Sequence, residues 1–252
     1  MDAGSQKRSA PSWQMIHDGI LDAVLRQRIE PGAKLVEEEI AQVYGVSRTV
    51  VRAALQALAR DGLVILQRNK GASIARPTPE EAREIFEARA LIEPEIAARA
   101  ARRMKPSDAA ALSASIDAEH HAFHADNPRE AVFHSADFHR RIAALAGHAV
   151  FAELLNELLS RSSLVISLYW RRPATLCDNE AHLALATALS SGDEAGAARL
   201  MREHVEALLA DLDLLPRRHS ASGLSAALLP AASQSCKDIL QATIAEIDDP
   251  GE

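Results

Sequence analysis

The segment Leu35–Ile74 constrains the fold most strongly, because two short helical patterns follow one another there with a tight turn between them. Apolar residues at helical spacing predict a first helix near Val36–Tyr44. Gly45 lies where that helix must stop, and glycine tolerates the left-handed backbone that commonly ends a helix. Ser47 is predicted to cap the second helix, its hydroxyl accepting a hydrogen bond from an N–H of the first turn.

The second helix is predicted to have two unlike faces. Valine, alanine and leucine residues form an apolar stripe on one side, whereas Arg48, Arg52 and Gln56 recur at every fourth position on another. Two short strands are expected beyond it, at Leu63–Leu66 and Ala72–Ala75, and together they would form a hairpin. These features predict a winged helix-turn-helix, a fold that inserts its second helix into the major groove of DNA.

The tip of the predicted hairpin is basic. It carries Arg68 and Lys70, followed by Gly71, and the two basic side chains are suited to phosphate contacts that position a protein on DNA. A solvated helix face would also account for Arg48 and Arg52 if these residues stood alone. The turn glycine, the serine cap and the basic hairpin accompany them in order, and this combination favours DNA binding.

The length and the distribution of charge fit a DNA-binding part joined to an acidic body. A chain of 252 residues is long enough for two hydrophobic cores, and its 4% aromatic content, with abundant Ala, Leu, Glu and Arg, favours helices over sheet. Residues 1–76 contain 11 Lys or Arg and 8 Asp or Glu, whereas residues 77–252 contain 17 and 27. The positive excess therefore lies in the N-terminal part, where it would steer one face toward phosphate.

Five segments are expected along the chain, and Pro77-Thr78-Pro79 marks the main boundary because proline disfavours helix in the residue before it. No apolar leader or membrane span is evident, and Cys177 and Cys236 form no paired motif, which predicts a cytoplasmic protein with reduced thiols. The predicted segments are a disordered N-terminus (1–11), a winged helix-turn-helix DNA-binding domain (12–76), a linker (77–79), an all-helical domain (80–216) and a flexible tail (217–252).

The all-helical domain is predicted to be an antiparallel bundle of six helices, since short polar connections separate its long helical patterns. Thr78 is expected to cap the first helix, with Pro79 in its first turn. The predicted helices cover approximately Pro79–Met104, Pro106–Ala125, Asn127–Gly147, Ala149–Trp170, Thr175–Leu189 and Asp193–Leu215.

Three histidines lie on or beside the apolar faces of the third, fifth and sixth bundle helices: His139, His182 and His204. Neutral imidazole is a common metal ligand, and three such groups projecting into one core could hold a divalent cation with an open coordination position. Their separations along the chain are too long for a local metal motif. Satisfied core or surface histidines without a metal are therefore the alternative interpretation.

Arg89 is predicted to lie among apolar residues of the first bundle helix, where its charge needs a partner. Glu93, one helical turn later, can provide that partner. A bound anion is the alternative, because guanidinium groups bind carboxylates and phosphates through paired hydrogen bonds.

Several separate stretches resemble a known family. The stretch LVEEEIAQVYGVSRTVVRAALQALARDGLV is similar to the DNA-binding signature of GntR-type transcriptional regulators, and NKGASI is similar to their wing tip. In the second half, three stretches resemble parts of the helical ligand-binding domain called FCD, which the FadR-like subgroup carries: EARALIEPEIAARAA, DFHRRIAALAGH and EAHLALATALSSGDEAGAARLMREHV. The resemblance implies a mainly α fold, with an N-terminal winged helix-turn-helix and a C-terminal antiparallel helical bundle.

The resemblance also implies roles for individual residues. Histidines 139, 182 and 204 would hold a divalent metal ion, for which zinc, nickel and manganese are the candidates. The metal would in turn bind the carboxylate of a small organic acid effector, in a pocket that Arg89 and Ser135 face. With the basic hairpin included, the residues expected at the DNA are Ser47, Arg48, Thr49, Arg52, Gln56, Arg68, Lys70 and Gly71.

One departure from the family pattern concerns the metal. The family has a carboxylate or amide four residues before its first histidine, and this chain has Ser135 there. Asp137 is expected on another helix face, and Asp178 is a candidate substitute one turn before His182. The serine predicts weaker metal binding, or a water molecule in the fourth position.

Two departures concern DNA. Glu38 lies where some relatives use an arginine to contact DNA, which predicts fewer phosphate or base contacts from the first helix. Val50 and Ala53 replace the usual proline and glutamate of the recognition helix, which bears on operator preference rather than on fold. The predicted function is a homodimeric repressor that binds a palindromic double-stranded operator under control of a small carboxylate. The alternatives are a metal-dependent hydrolase fused to a DNA-binding domain, and a regulator whose helical domain only dimerises.

Overall fold

The computed structural model describes residues 12–170 and 179–215, and within them a winged part (residues 12–76) precedes a helical part (residues 77–215). The disordered N-terminus and flexible tail predicted from the sequence lie outside the described residues. The elements of the winged part are α1 (Trp13–Leu25), β1 (Lys34–Leu35), α2 (Glu37–Tyr44), α3 (Arg48–Arg60), β2 (Val64–Gln67) and β3 (Gly71–Ile74).

The turn between α2 and α3 is as predicted in its backbone but not in its cap. Gly45 adopts a left-handed conformation with φ of 65° and ends α2. Ser47 is the N-cap of α3, yet its side chain makes no capping hydrogen bond, so the predicted hydroxyl cap is wrong. The Ser47 carbonyl accepts from the N–H groups of Val50 and Val51 instead, and the serine side chain is exposed.

The wing is a small antiparallel sheet in the order β1–β3–β2. Its hairpin is confirmed with strand ends shifted by one residue, and Val64 pairs with Ile74 while Gln67 pairs with Gly71. Strand β1 was not predicted, because two residues carry no periodicity. It pairs Leu35 with Ala72 and thereby anchors the hairpin to the start of the helix-turn-helix.

The helical part has the order expected of the bundle, and its first helix is capped as predicted: Thr78 and Glu81 form a reciprocal capping box. No helix among the described residues is both long enough and apolar enough to cross a membrane. The helices are α4 (Pro79–Arg103), α5 (Pro106–His124), α6 (Pro128–Ala146), α7 (Ala149–Tyr169), α8 (Asn179–Ser190) and α9 (Glu194–Ala210).

The last helix is shorter than predicted. It ends at Ala210 rather than Leu215, because the chain beyond it runs back along the end of α7. There the Asp213 N–H donates to the Tyr169 carbonyl at 3.0 Å, and Leu212 forms an isolated antiparallel bridge with Trp170. The predicted start of α8 lies outside the described residues.

Helix α7 joins the two hydrophobic cores. Its buried Leu155, Leu159 and Val165 pack in the core of the helical part, but Leu164, 1% exposed, packs in the core of the winged part. The Ser163 hydroxyl lies 3.1 Å from the Val24 carbonyl and 3.3 Å from the Leu25 carbonyl at the end of α1. Two consecutive residues of α7 therefore contact the winged part.

Candidate metal centre and DNA-binding face

The bundle brings His139, His182 and His204 together, although they come from α6, α8 and α9. Each is at most 4% exposed. The His204 Nε2 lies 3.3 Å from the His139 Nε2 and 3.1 Å from the His182 Nε2. One nitrogen from each ring lies within 4.8 Å of the others, so the side-chain cluster expected from the sequence is present.

Two buried glutamates orient the outer histidines. His139 donates from Nδ1 to Glu93 of α4, and His182 donates from Nδ1 to Glu119 of α5 over 2.7 Å. A carboxylate has no hydrogen to give, so the proton of each bond belongs to the imidazole. If each ring is neutral, its Nε2 lone pair points toward the cluster. This is the arrangement in which metal-binding histidines are commonly held.

Burial and charge favour the neutral form of His139. Burial lowers the pKa of His139, and the opposing attraction of Glu93 does not overcome that effect. Burial alone would raise the pKa of Glu93, but the positive charge of Arg89 and the contact with His139 lower it to about 2. The neutral His139 ring therefore presents a nitrogen lone pair close to an ionised carboxylate, and such a donor suits a cation.

Arg89 has both a pairing partner and a second contact. Its Nε donates to Glu93 over 2.6 Å, which is the partner that the sequence suggested, and one terminal amino group donates to the Ser162 hydroxyl over 3.3 Å. Both members of the ion pair are almost fully buried. Glu93 thus holds Arg89 with one oxygen and His139 with the other.

Ser135 lies on α6, four residues before His139, and lines the same cavity as Arg89 and the three histidines. Asp137 points elsewhere, as expected, with its carboxylate on Ser115 and Arg141. Asp178 lies outside the described residues. The cavity is about 30 Å³, which is room for an ion and one or two water-sized groups.

Glu119 was missed by the sequence reasoning. It lies 63 residues from His182 along the chain, so spacing gave no reason to pair them. A signal was nevertheless present, because Glu119 interrupts an apolar stripe of α5 at Leu112, Ile116 and Ala122. A carboxylate on a buried helix stripe requires a partner.

The predicted DNA-binding face lies in the winged part, where α3 and the wing border one surface groove. Arg48, Arg52 and Gln56 of α3 line this groove together with Gly71 of the wing, whereas Arg68 and Lys70 do not. All the residues predicted to contact DNA are exposed: Ser47, Arg48, Thr49, Arg52, Gln56, Arg68, Lys70 and Gly71.

Both recognition-helix arginines are bound to a residue that the sequence reasoning did not single out. Glu37, the first residue of α2, accepts hydrogen bonds from Arg48 at 3.0 and 3.2 Å and from Arg52 at 2.9 and 3.0 Å. These hydrogen bonds lower the pKa of Glu37, and the bond from Arg52 has the largest effect. Burial has the opposite effect but does not overcome them. Glu38 is 3.9 Å from Arg48.

Comparisons with known proteins agree with both parts of this structure. The model described as bacterial regulatory proteins, gntR family, matches residues 13–74, and the FCD domain model matches residues 84–207. An HTH-type transcriptional regulator from the TAR-I ttuE-ttuC' intergenic region of Agrobacterium vitis is 33% identical over 116 residues, which cover 46% of this chain and 68% of that protein.

Two further relatives extend the match over more of the chain. A Paenarthrobacter nicotinovorans protein named "Probable D-xylose utilization operon transcriptional repressor" is 26% identical over 90% of this chain and 99% of that protein. The solved structure of Escherichia coli McbR/YncC has a TM-score of 0.71 at 20% identity, over 79% of this chain and 96% of that one; at that identity it shows the fold. The chain therefore belongs to the GntR family of bacterial transcriptional regulators, in the FadR-like group that carries an FCD domain.

Proposed function

We propose that this regulator binds a palindromic operator as a homodimer and that a small carboxylate, held by a divalent metal ion in the helical part, controls its affinity for DNA. The observation that carries the proposal is the convergence of three buried imidazoles, two of which are oriented by carboxylates. The site of action would be the cytoplasm, where the operator is.

His139, His182 and His204 would hold the metal, with Ser135 or water nearby. A divalent ion would supply a Lewis-acidic centre for an anionic ligand. Without a metal the fixed charges of the site disfavour an anion, because one arginine and two glutamates surround the histidines. That set has an excess of one negative charge, and a divalent cation would turn it into an excess of positive charge. Arg89 would add a fixed positive charge to the wall.

The small cavity suggests how ligand binding could reach the DNA-binding part. A carboxylate larger than a few atoms must displace the walls, and Ser162 and Ser163 of α7 are two of them. Ser163 also bonds the end of α1, and the next residue, Leu164, packs in the winged core. Movement of this turn of α7 would therefore shift the winged part, and a coupling of about 1–3 kcal/mol is typical of such control.

At the DNA, α3 would enter the major groove. Arg52 or Arg48 paired with a guanine would contribute about 1–3 kcal/mol of discrimination, whereas Arg68 and Lys70 would bind phosphates. Replacing Arg52 with alanine is expected to flatten the sequence preference measured by selection from a random duplex library. An unchanged preference would contradict the role of Arg52.

The test of the metal is its content in protein purified without chelator, compared with a His139→Ala/His182→Ala double variant. We expect about one divalent ion per chain in the wild type, lost in the variant. Carboxylic acids would then be screened for release of the metal-loaded protein from its operator. A metal-free wild type would favour a helical part that only dimerises.

The geometry favours a sensor over the hydrolase that the sequence left open. Among the described residues, Glu93 and Glu119 are the carboxylates that contact these histidines. Each is already bound by an imidazole, so neither is placed as a general base for a water molecule. Incubating metal-loaded protein with carboxylate esters and amides is expected to return them unchanged, and turnover lost in the double variant would support the enzyme instead.

A further inference from the structure

We infer that Glu37 determines DNA specificity, by holding Arg48 and Arg52 so that they favour a base edge over a phosphate. This inference rests on the proposed use of α3 at the operator. It assigns a role to an acidic residue on a face that must approach a polyanion, where a negative charge otherwise only weakens binding.

Glu37 binds the two arginines in different ways. Arg52 donates through its Nε alone, which contacts both carboxylate oxygens at 2.9 and 3.0 Å. Arg48 donates through Nε and one terminal amino group to a single oxygen. Within the described residues, the hydrogen bonds of Arg52 therefore leave its two terminal amino groups for an outside acceptor.

The exposure of the three side chains places Glu37 behind the arginines. Its side chain is 24% exposed, whereas those of Arg48 and Arg52 are 56% and 59% exposed. Guanine presents two acceptors, O6 and N7, to the major groove, and a guanidinium can meet both with a pair of donors. The outer edge of Arg52 offers such a pair without breaking its bonds to Glu37.

The same arrangement favours arginine contacts with a phosphate less than contacts with guanine. A phosphate attracts both arginines without regard to sequence, and it competes directly with the Glu37 carboxylate for them. Glu37 also cancels part of the local positive charge, which lowers affinity for any DNA backbone. The carboxylate therefore weakens nonspecific binding more than it weakens a correctly placed guanine contact. Discrimination between sequences is the difference between the two binding free energies, so it increases.

Glu37→Gln tests this inference, with Glu38→Gln as the matched control. Glu38 is the next residue in the same helical turn and its side chain is 60% exposed, with its carboxylate 3.9 Å from Arg48. Both substitutions remove one negative charge from the same region. Only the first removes the carboxylate that the two arginines share. Exposed ion pairs contribute little to folding stability, so both variants are expected to melt near the wild type.

Dissociation constants would be measured by fluorescence anisotropy for a selected operator and a scrambled duplex over a series of salt concentrations. For Glu37→Gln we expect a roughly tenfold loss in the ratio of the two constants, mainly through tighter binding to the scrambled duplex. Its nonspecific salt dependence should steepen by about one phosphate contact. Glu38→Gln should tighten both complexes about equally.

Equal ratios in the two variants, or a ratio that rises in Glu37→Gln, would overturn the role of Glu37 while leaving the regulator assignment intact. A wild-type protein that selects no sequence from a random library would overturn the proposed operator recognition, and the inference with it. The two failures are distinguished by the wild-type selection, which is completed before either variant is measured.

Discussion

The predicted DNA-binding face and the candidate metal centre both use a glutamate to bind arginine or histidine side chains, but in opposite surroundings. Glu37 holds two arginines at the surface, with 24% of its side chain exposed. Glu93 holds Arg89 and His139 in the core and is fully buried. Water can replace the partners of the partly exposed Glu37 at little cost, whereas loss of a partner of the buried Glu93 leaves a charge in the core. We therefore expect the hydrogen bonds of Glu37 to affect selectivity and those of Glu93 to affect stability.

The largest effect on stability is expected from removing the buried Glu93 carboxylate, which binds both Arg89 and His139. Glu93→Ala leaves the Arg89 charge buried without its partner, and we expect a loss of about 3–5 kcal/mol in the free energy of unfolding. Urea denaturation followed by circular dichroism would measure it. Glu93→Gln, which preserves the volume, provides a second measurement if the alanine variant does not fold.

The matched control lies on the same helix. Glu95 forms an exposed ion pair with Arg99 one turn away, and such pairs contribute about 0.3–0.5 kcal/mol. A Glu93→Ala variant no less stable than Glu95→Ala would contradict the claim that the buried ion pair contributes more to stability than the exposed one.

An intermediate effect is expected at Glu119, which accepts a hydrogen bond from His182 and pairs with no arginine among the described residues. Glu119→Gln can still accept from the His182 Nδ1–H but loses its charge, and we expect metal affinity to fall by about 10-fold or more. Competition with a chelating dye would give the affinity. Asp117→Asn, an exposed change on the same helix, should leave metal affinity unchanged, and an equal loss in both variants would contradict the orienting role.

The smallest effect on the free energy of unfolding is expected at His17, whose exposure lies between that of Glu93 and that of Glu37. Burial lowers the pKa of His17, but hydrogen bonds to Asp61 and Asp18 outweigh it and raise the pKa above its usual value. The raised pKa means that protonation stabilises the folded state. That contribution is complete below the unfolded pKa of about 6.5 and is lost as pH rises through the folded one.

Unfolding at pH 5.5 and pH 8 would test this for the wild type and His17→Gln. Solvent screening limits the expected difference to less than about 1 kcal/mol, and the variant should lose the part of the pH dependence that favours low pH. The exposed His121 provides the control, since His121→Gln should follow the wild type. A variant with the wild-type pH profile would remove His17 from the comparison.

The features that depend on local residue patterns were predicted from the sequence. The helix-turn-helix, its left-handed Gly45 and the capping box at Thr78 depend on neighbours within a few residues, and each is present. The three histidines were predicted on or beside apolar helix faces, which allowed a shared cluster and left separate core or surface histidines as the alternative. The family resemblance added the expectation of a metal.

Other features depend on which distant side chains the fold brings together. The bond between Glu119 and His182 joins two helices, and the bond of Glu37 to Arg48 and Arg52 joins α2 to α3 across the turn. Strand β1 exists only because β3 pairs with it. No periodicity marks such contacts, and the predicted Ser47 cap failed because the backbone carbonyl took that role.

Leu164 carries a consequence for exchanging parts between regulators of this family. Its side chain completes the core of the winged part although it comes from α7 of the helical part. A gene fragment ending at Arg76 would encode a winged part with a hollow where that leucine belongs, and a hybrid would place a foreign side chain in the hollow. Joining this winged part to another helical part therefore requires a large apolar residue at the equivalent position of α7. The choice of partner is thus limited by the shape of a side chain far along the chain from the junction.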